Sequence, residues 1–376
     1  MMHAFDNPPD RRGSDSLKWR KYDGRDILPM WVADMDFAAP PAVLEALQTR
    51  LAHGVFGYGA PPEFAPVIAD ALLRDYGWTV QPDWIVPLPG LVCGLNVAAR
   101  AIGGEGDALL TATPVYPHLF TSAVNQGRES LRIGLDAAHD WTWDLQALRA
   151  ATTARTRGLM LCHPHNPIGR VWNAGELQAI ADHAAQNDLI VVSDEIHCDL
   201  ILEPGLRHRP FALQSADAAA RSITLMAPSK TYNIPGLGAA FAVIPSDSLR
   251  RRFEKAMAGI VPHVNILGYA ATVAAYRDCT AWRAELLDYL RANRERVLTL
   301  DGAGGLRVVK PEATYLAWID CRALGVADPQ HFFEEAGVGL SPGRDFGAEG
   351  FVRLNFGCSR ALLEEALRRM RAAVGA

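Results

Sequence analysis

Ser222-Ile223-Thr224-Leu225-Met226-Ala227-Pro228-Ser229-Lys230 is the stretch on which the fold turns. Its first five residues read as a buried strand, broken at Ala227-Pro228, that delivers a lysine at its carboxyl end. The chain has 37 cationic residues and only five are lysines, so arginine is its usual cation and each lysine raises a chemical question. A desolvated lysine can lose its proton, which an arginine cannot, and only the neutral amine adds to a carbonyl carbon. The competing reading is a strand-end lysine that simply reaches solvent.

Working outward, short apolar runs at Trp84–Val86, Ala108–Ala112, Ser130–Ile133, Leu159–Cys162, Leu189–Val192 and Ala239–Ile244 join Ser222–Met226 as candidate strands. Amphipathic stretches lie between several of them; in 176–187, Leu177, Ile180, Ala181 and Ala184 recur at helical spacing. This alternation predicts an α/β fold whose mainly parallel, seven-stranded sheet is covered on both faces. Ligands of such sheets gather beyond the carboxyl ends of the strands. A helix over Val43–His53 is closed by Gly54. After about Arg277 the pattern changes to a long charged helix (Ala281–Leu300), strands at Tyr315–Ile319 and Phe351–Phe356, and a final helix from Ala361. The expected organisation is a large domain over 46–276 and a smaller α+β domain built from 1–45 and 277–376.

The 376 residues, 49% hydrophobic, are enough for a sizeable core, and the net charge of −5 argues against a nucleic-acid binder. Six scattered cysteines (Cys93, Cys162, Cys198, Cys279, Cys321 and Cys358) form no C-x-x-C pair and no metal-ligand spacing, so no metal is expected. They suit reduced thiols in a cytoplasm. The first nineteen residues lack the apolar core of a signal peptide, and no apolar run approaches membrane-spanning length. A cytoplasmic protein without a membrane partner is expected.

Several residues at strand ends suit one small, anionic, aromatic ligand. Asp194, after Leu189–Ser193, is a carboxylate that can ion-pair with a ring nitrogen, or one that caps a turn. Asn166 in His165-Asn166-Pro167-Ile168-Gly169 offers an amide donor, although Asn-Pro is also a plain turn signal. Gly90-Leu91-Val92-Cys93-Gly94 opens a helix whose unpaired amides can hold phosphate, or marks a simple loop-to-helix transition. Tyr116 follows a strand and can stack on a ring or pack in the core. Tyr58 sits in a glycine-rich segment, and Arg353 places a charge in a strand, where either a substrate carboxylate or an internal ion pair would satisfy it. No G-x-G-x-x-G joins a strand to a helix, so a dinucleotide is not expected.

The order of these parts resembles the fold-type I pyridoxal-phosphate enzymes of the class I/II aminotransferase superfamily. The specific stretches are 29–37 (Pro-Met-Trp-Val-Ala-Asp-Met-Asp-Phe), 161–169, 193–199, 229–237 and 353–360, and they are most similar to the MalY/PatB-type cystathionine β-lyase branch. The resemblance implies pyridoxal 5′-phosphate as cofactor, Lys230 as its Schiff-base lysine, Asp194 at the ring nitrogen and Asn166 at the ring hydroxyl. It implies Tyr116 stacked on the ring and Gly90, Leu91 and Val92 at the phosphate, with Ser229 adding a hydroxyl. Tyr58 would reach the phosphate of a neighbouring subunit, so a homodimer with shared active sites is implied. Arg353 would bind the α-carboxylate of a small amino-acid substrate, with Val32 beside it. Where aspartate-type aminotransferases carry an arginine on the phosphate this chain has Gly238, and where they carry a ring-side tyrosine it has His197.

Both departures fit the lyase branch and imply α,β-elimination from cystathionine or another S-substituted cysteine to a thiol, pyruvate and ammonia. Tyr116 is then also a candidate proton relay to the sulfur. Transamination uses the same base and electron sink and is the first alternative. The second is a catalytically idle, regulatory relative.

Overall fold

The computed structural model describes residues 5–376. Seven strands form one sheet: β1 (Ile85–Leu88), β2 (Ala108–Thr113), β3 (Glu129–Gly134), β4 (Thr156–Cys162), β5 (Ile190–Asp194), β6 (Ser222–Met226) and β7 (Ala240–Val243). Their spatial order is β1-β7-β6-β5-β4-β2-β3; only β7 runs against its neighbours. The expected seven-stranded, mainly parallel sheet is therefore present. Residues of period two divide its central strands between two apolar layers. Met160, Val192, Ile223 and Leu225 pack under the helix Leu91–Ala101 on one face. Leu159, Leu161 and Val191 pack under the helix Ala174–Gln186 on the other. Burial of both faces explains why β5 and β6 read as continuous apolar runs rather than alternating ones.

The sequence misplaces some strand ends, each for a local reason. Leu189 lies before β5 because its amide closes the preceding helix on Ala184 O (2.9 Å). Trp84 belongs to a 3-10 turn whose amide bonds Gln81 O. Helices match more closely: Pro41–His53 ends on Gly54 with φ 76°, and Ala174–Gln186 starts on a capping box between Asn173 and Glu176.

A second, four-stranded antiparallel sheet comprises β8 (Arg307–Val309), β9 (Leu316–Asp320), β10 (Ser341–Pro342) and β11 (Phe351–Asn355), in the order β10-β11-β9-β8. Strands β8 and β10 are too short to carry a periodic signal and are missed by sequence reading. The 29–37 stretch starts beside this second sheet: Leu28 and Pro29 form a two-stranded sheet with Val338 and Gly339, and Asn355 N bonds Met30 O. Among the described residues no helix is long and apolar enough to cross a membrane.

Candidate active site

The carboxyl ends of β6, β5, β4 and β2, four neighbours in the sheet, each end in a turn that carries one candidate side chain. These are Lys230, Asp194, Asn166 and Tyr116. The loop after β1 adds Gly90 at the start of the helix Leu91–Ala101. All of them line one cavity of about 410 Å³, together with Leu91, Val92, His197 and Ser229. The sequence did not single out Ala33, Cys93, Cys162, Ile196, Pro235 or Ala239, which share that lining. Arg353 reaches the same place from β11 through Asn166. Tyr58 does not: it is fully exposed and lines a separate groove. Val32 is not part of the lining either; its carbonyl accepts from Asn355 Nδ2 at 2.6 Å.

Two titrations are moved in opposite directions by the same cause. Burial pushes the Asp194 carboxyl up to about 7, with Lys230 opposing. Burial, and secondarily the Arg353 charge, lowers the Lys230 ammonium to about 8, while Asp34 and Asp194 pull the other way. The Lys230 amine donates to Ala33 O at 2.7 Å, and Tyr315 OH donates to the same carbonyl at 3.0 Å. Ile196 N donates to Asp194 Oδ1 at 3.2 Å, which orients the carboxylate and leaves Oδ2 for a ligand. Neighbouring Glu195 is fixed by Ser193 Oγ (2.8 Å), His208 Nε2 (2.6 Å) and Phe211 N (2.9 Å).

The Lys230 shift has a measurable sign. Between pH 8 and its ordinary 10.5 the unfolded chain holds a proton on this amine that the folded chain has lost. Stability rises with pH wherever the unfolded state binds more protons. In cofactor-free protein, raising the pH from about 7.5 to about 9.5 should therefore raise Tm relative to Lys230→Met, which lacks this contribution. Parallel Tm profiles for the two proteins would refute the shift.

Arg353 is buried and faces neutral groups: Asn166 Oδ1 and Trp31 O at 3.0 Å each, and Ser341 Oγ at 3.3 Å. Phe346 packs against the guanidinium, and burial lowers its pKa to about 10. Its Nε is buried with no protein partner. A buried cation paired only with neutral acceptors suits an anionic ligand.

The residues present fit pyridoxal phosphate. A guanidinium only donates, so the oxygen of the Asn166 amide must face Arg353, which leaves the NH₂ as a donor toward the cavity. The helix Leu91–Ala101 has no side-chain cap, so its first amides are free for phosphate. Gly238 packs against this loop at φ +55°, with an added Cβ 3.1 Å from Pro89 O, so a larger residue is disfavoured there. Burial and the nearby Lys230 and Arg353 charges lower His197 well below its ordinary value and keep the ring neutral. Burial raises Tyr116 to about 12, a phenol that stays protonated beside a planar ligand.

These features define a pyridoxal-phosphate enzyme of fold type I, and the chain belongs to the aminotransferase class I and II family, whose model matches residues 25–370. It is 37% identical to cystathionine beta-lyase PatB of Bacillus subtilis (strain 168), over 98% of this chain and 99% of that protein. It superposes on the crystal structure of OvoB with a TM-score of 0.96 and 50% identity, covering 99% of each chain. Cystalysin from Treponema denticola, whose crystal structure contains pyridoxal 5′-phosphate, gives a TM-score of 0.94 and 32% identity, over 100% of this chain and 99% of that one.

Proposed function

We propose that this chain is a pyridoxal-phosphate-dependent carbon–sulfur β-lyase acting on cystathionine or a related S-substituted cysteine. The observation that carries the reading is the gathering of Lys230, Asp194 and Asn166 in one cavity, beside an Arg353 whose hydrogen-bond partners among the described residues are all neutral. Likeness to a cystathionine beta-lyase over nearly the whole chain supports the reaction class.

When bound, the cofactor supplies the electron sink that acidifies the substrate Cα–H bond and lets a Cβ thiolate depart. Arg353 takes the α-carboxylate and so orients that bond toward Lys230. Lys230, neutral at little cost because of its lowered pKa, removes the Cα proton. Asp194 holds the proton on the ring nitrogen by charge pairing, and Asn166 NH₂ donates to the ring oxygen. The amides of Leu91 and Val92 at the helix start, with Ser229, hold the phosphate. Tyr116, which lines the cavity with its phenol protonated, would stack on the ring and could pass a proton to the departing sulfur. Overall, one water is consumed and a thiol, pyruvate and ammonia are released.

Incubation with L-cystathionine and no added keto acid is the deciding assay. Pyruvate and a free thiol in equal amounts are expected; strict dependence on a keto-acid acceptor would make the chain an aminotransferase instead. Arg353→Met should lower kcat/KM about 10²-fold for the amino acid, because it removes the partner of a buried carboxylate. Much less loss would assign Arg353 to structure.

The active form we propose is a homodimer that shares its sites, with Tyr58 reaching the partner's phosphate. Tyr58 projects between two glycines beside exposed Val55 and Phe56, at a groove of about 1080 Å³ lined by Ala46, Arg50, Ile266 and Val273. A fully active monomer in sedimentation velocity would overturn this. A cytoplasmic location is consistent with six unpaired cysteines and is checked by cell fractionation. The division we propose is 46–276 and a unit of 1–45 with 277–376. Phe5, Met30 and Phe37 pack with Leu286, Leu316, Val352 and Leu363, which supports joining the first and last segments, although the same cluster takes in Leu200, Tyr232 and Ala274 of the larger unit; residues 1–4 lie outside the described part. Hydrogen exchange that opens 5–45 independently of 277–376 would argue against it.

A further inference from the structure

Behind the cavity lies a buried ionic cluster that the chemistry above does not use. Asp199 Oδ1 accepts from Arg283 Nη1 at 2.6 Å and from Tyr76 OH at 2.5 Å. The same guanidinium nitrogen donates to Asp75 Oδ2 at 3.0 Å. The other Asp199 oxygen accepts from Thr231 Oγ1 at 3.2 Å. Thr231 is fully buried, and the Asp199 side chain is almost so.

The place of these residues in the chain gives the cluster its meaning. Asp199 ends the tight turn that begins at Asp194, in which Cys198 N bonds Glu195 O and Leu200 N bonds His197 O. Thr231 follows Lys230 directly, in a turn where Tyr232 N bonds Pro228 O and Ile234 N bonds Ser229 O. The Asp199–Thr231 bond thus ties the turn after β5 to the turn after β6. Asp75 and Tyr76 close the helix Phe64–Tyr76, and Arg283 lies in the helix Thr280–Leu298, so two further elements brace the tie. A guanidinium buried between two carboxylates adds little net stability, because all three groups give up water. What such an arrangement does supply is a fixed geometry.

We propose that Asp199, braced by Arg283 and bonded to Thr231, is a positioning residue that sets the spacing between Lys230 and Asp194. These two side chains must act on opposite ends of one rigid ring, so relative movement of their turns misaligns the amine with the carbon it serves. The proposal rests on the reading of Lys230 and Asp194 given above.

The test uses Thr231→Val, which keeps the shape and removes only the hydroxyl that joins the turns, and Thr231→Ser, which restores that hydroxyl. For Thr231→Val, kcat of the holoenzyme should fall about 10-fold with KM within about twofold, the mark of lost alignment rather than lost binding. Mixing cofactor-free protein with pyridoxal phosphate gives a second readout: the visible Lys230 band should form about 10-fold more slowly. Thr231→Ser should recover both to within about threefold. Wild-type kcat and band rate in Thr231→Val would overturn the proposal, and so would a Thr231→Ser as impaired as Thr231→Val. If Thr231→Val does not fold, Thr231→Ala, which also lacks the hydroxyl, decides: losses of about 5-fold or more in both readouts support the tie, and wild-type values overturn it. A Lys230→Ala control separates this claim from its foundation. A visible band retained in that control defeats the assignment of Lys230 itself, whereas a lost band with a normal Thr231→Val defeats only the positioning role.

Discussion

Lys230→Ala should bring elimination to a near halt, with kcat reduced by about 10³-fold or more and the visible cofactor band lost. The size follows from two functions on one nitrogen: it is the covalent anchor and the base for the Cα proton. Loss of the anchor alone could be offset by tight phosphate binding, but among the described residues no other amine lines the cavity to replace the base. Lys230→Arg separates charge from nucleophilicity, since it keeps a cation that cannot lose its proton. It should be as inactive as the alanine variant. Normal turnover with an intact band in either variant would refute the assignment, and stopped-flow absorbance with a pyruvate assay measures both.

Asp194→Asn should be the next most severe change. The amide has nearly the same shape and can keep the Ile196 amide bond, so what disappears is the negative charge at the ring nitrogen. Without it the ring proton leaves, and the electron sink weakens as charge develops in the transition state. A fall of about 10²–10³-fold in kcat with KM little changed is expected, the range found when one preorganised electrostatic partner is removed. The band should also change its dependence on pH, because the carboxylate proposed to keep the ring nitrogen protonated is gone. An asparagine variant with native kcat would mean that the carboxylate only caps its turn.

What the sequence made legible follows from where its signals are local. Strand β5 is a short apolar run ending in Asp194, and β6 is one followed after a short turn by Lys230, so both their burial and the chemistry at their tips could be read in one pass. The helix we propose for the phosphate announces itself by Gly90-Leu91-Val92-Cys93-Gly94, and Asn166 by its Pro-Ile-Gly sequel. Arg353 was legible as an oddity, a charge in a strand, but its partners were not. Trp31 lies far from it in sequence, and Ser341 faces it only through the pairing of β10 with β11. The 29–37 stretch was expected to serve through the Val32 side chain, which does not line the cavity; what it offers is its carbonyls, and main-chain acceptors leave no trace in residue identity. Asp199, Thr231 and Arg283 went unread because each looks ordinary alone, and their juxtaposition exists only in three dimensions.

The carbonyls of Trp31 and Ala33 hold the guanidinium of Arg353 and the amine of Lys230. The reaction centre is therefore stitched from an early tenth of the polypeptide, its middle, and a strand made almost last. During synthesis the lysine can meet Ala33 once the middle has emerged, but the guanidinium can meet Trp31 only when nearly everything has. An unfinished product carries the lysine without its setting, and trimming either terminus back past these contacts removes a wall of the centre rather than a loose tail.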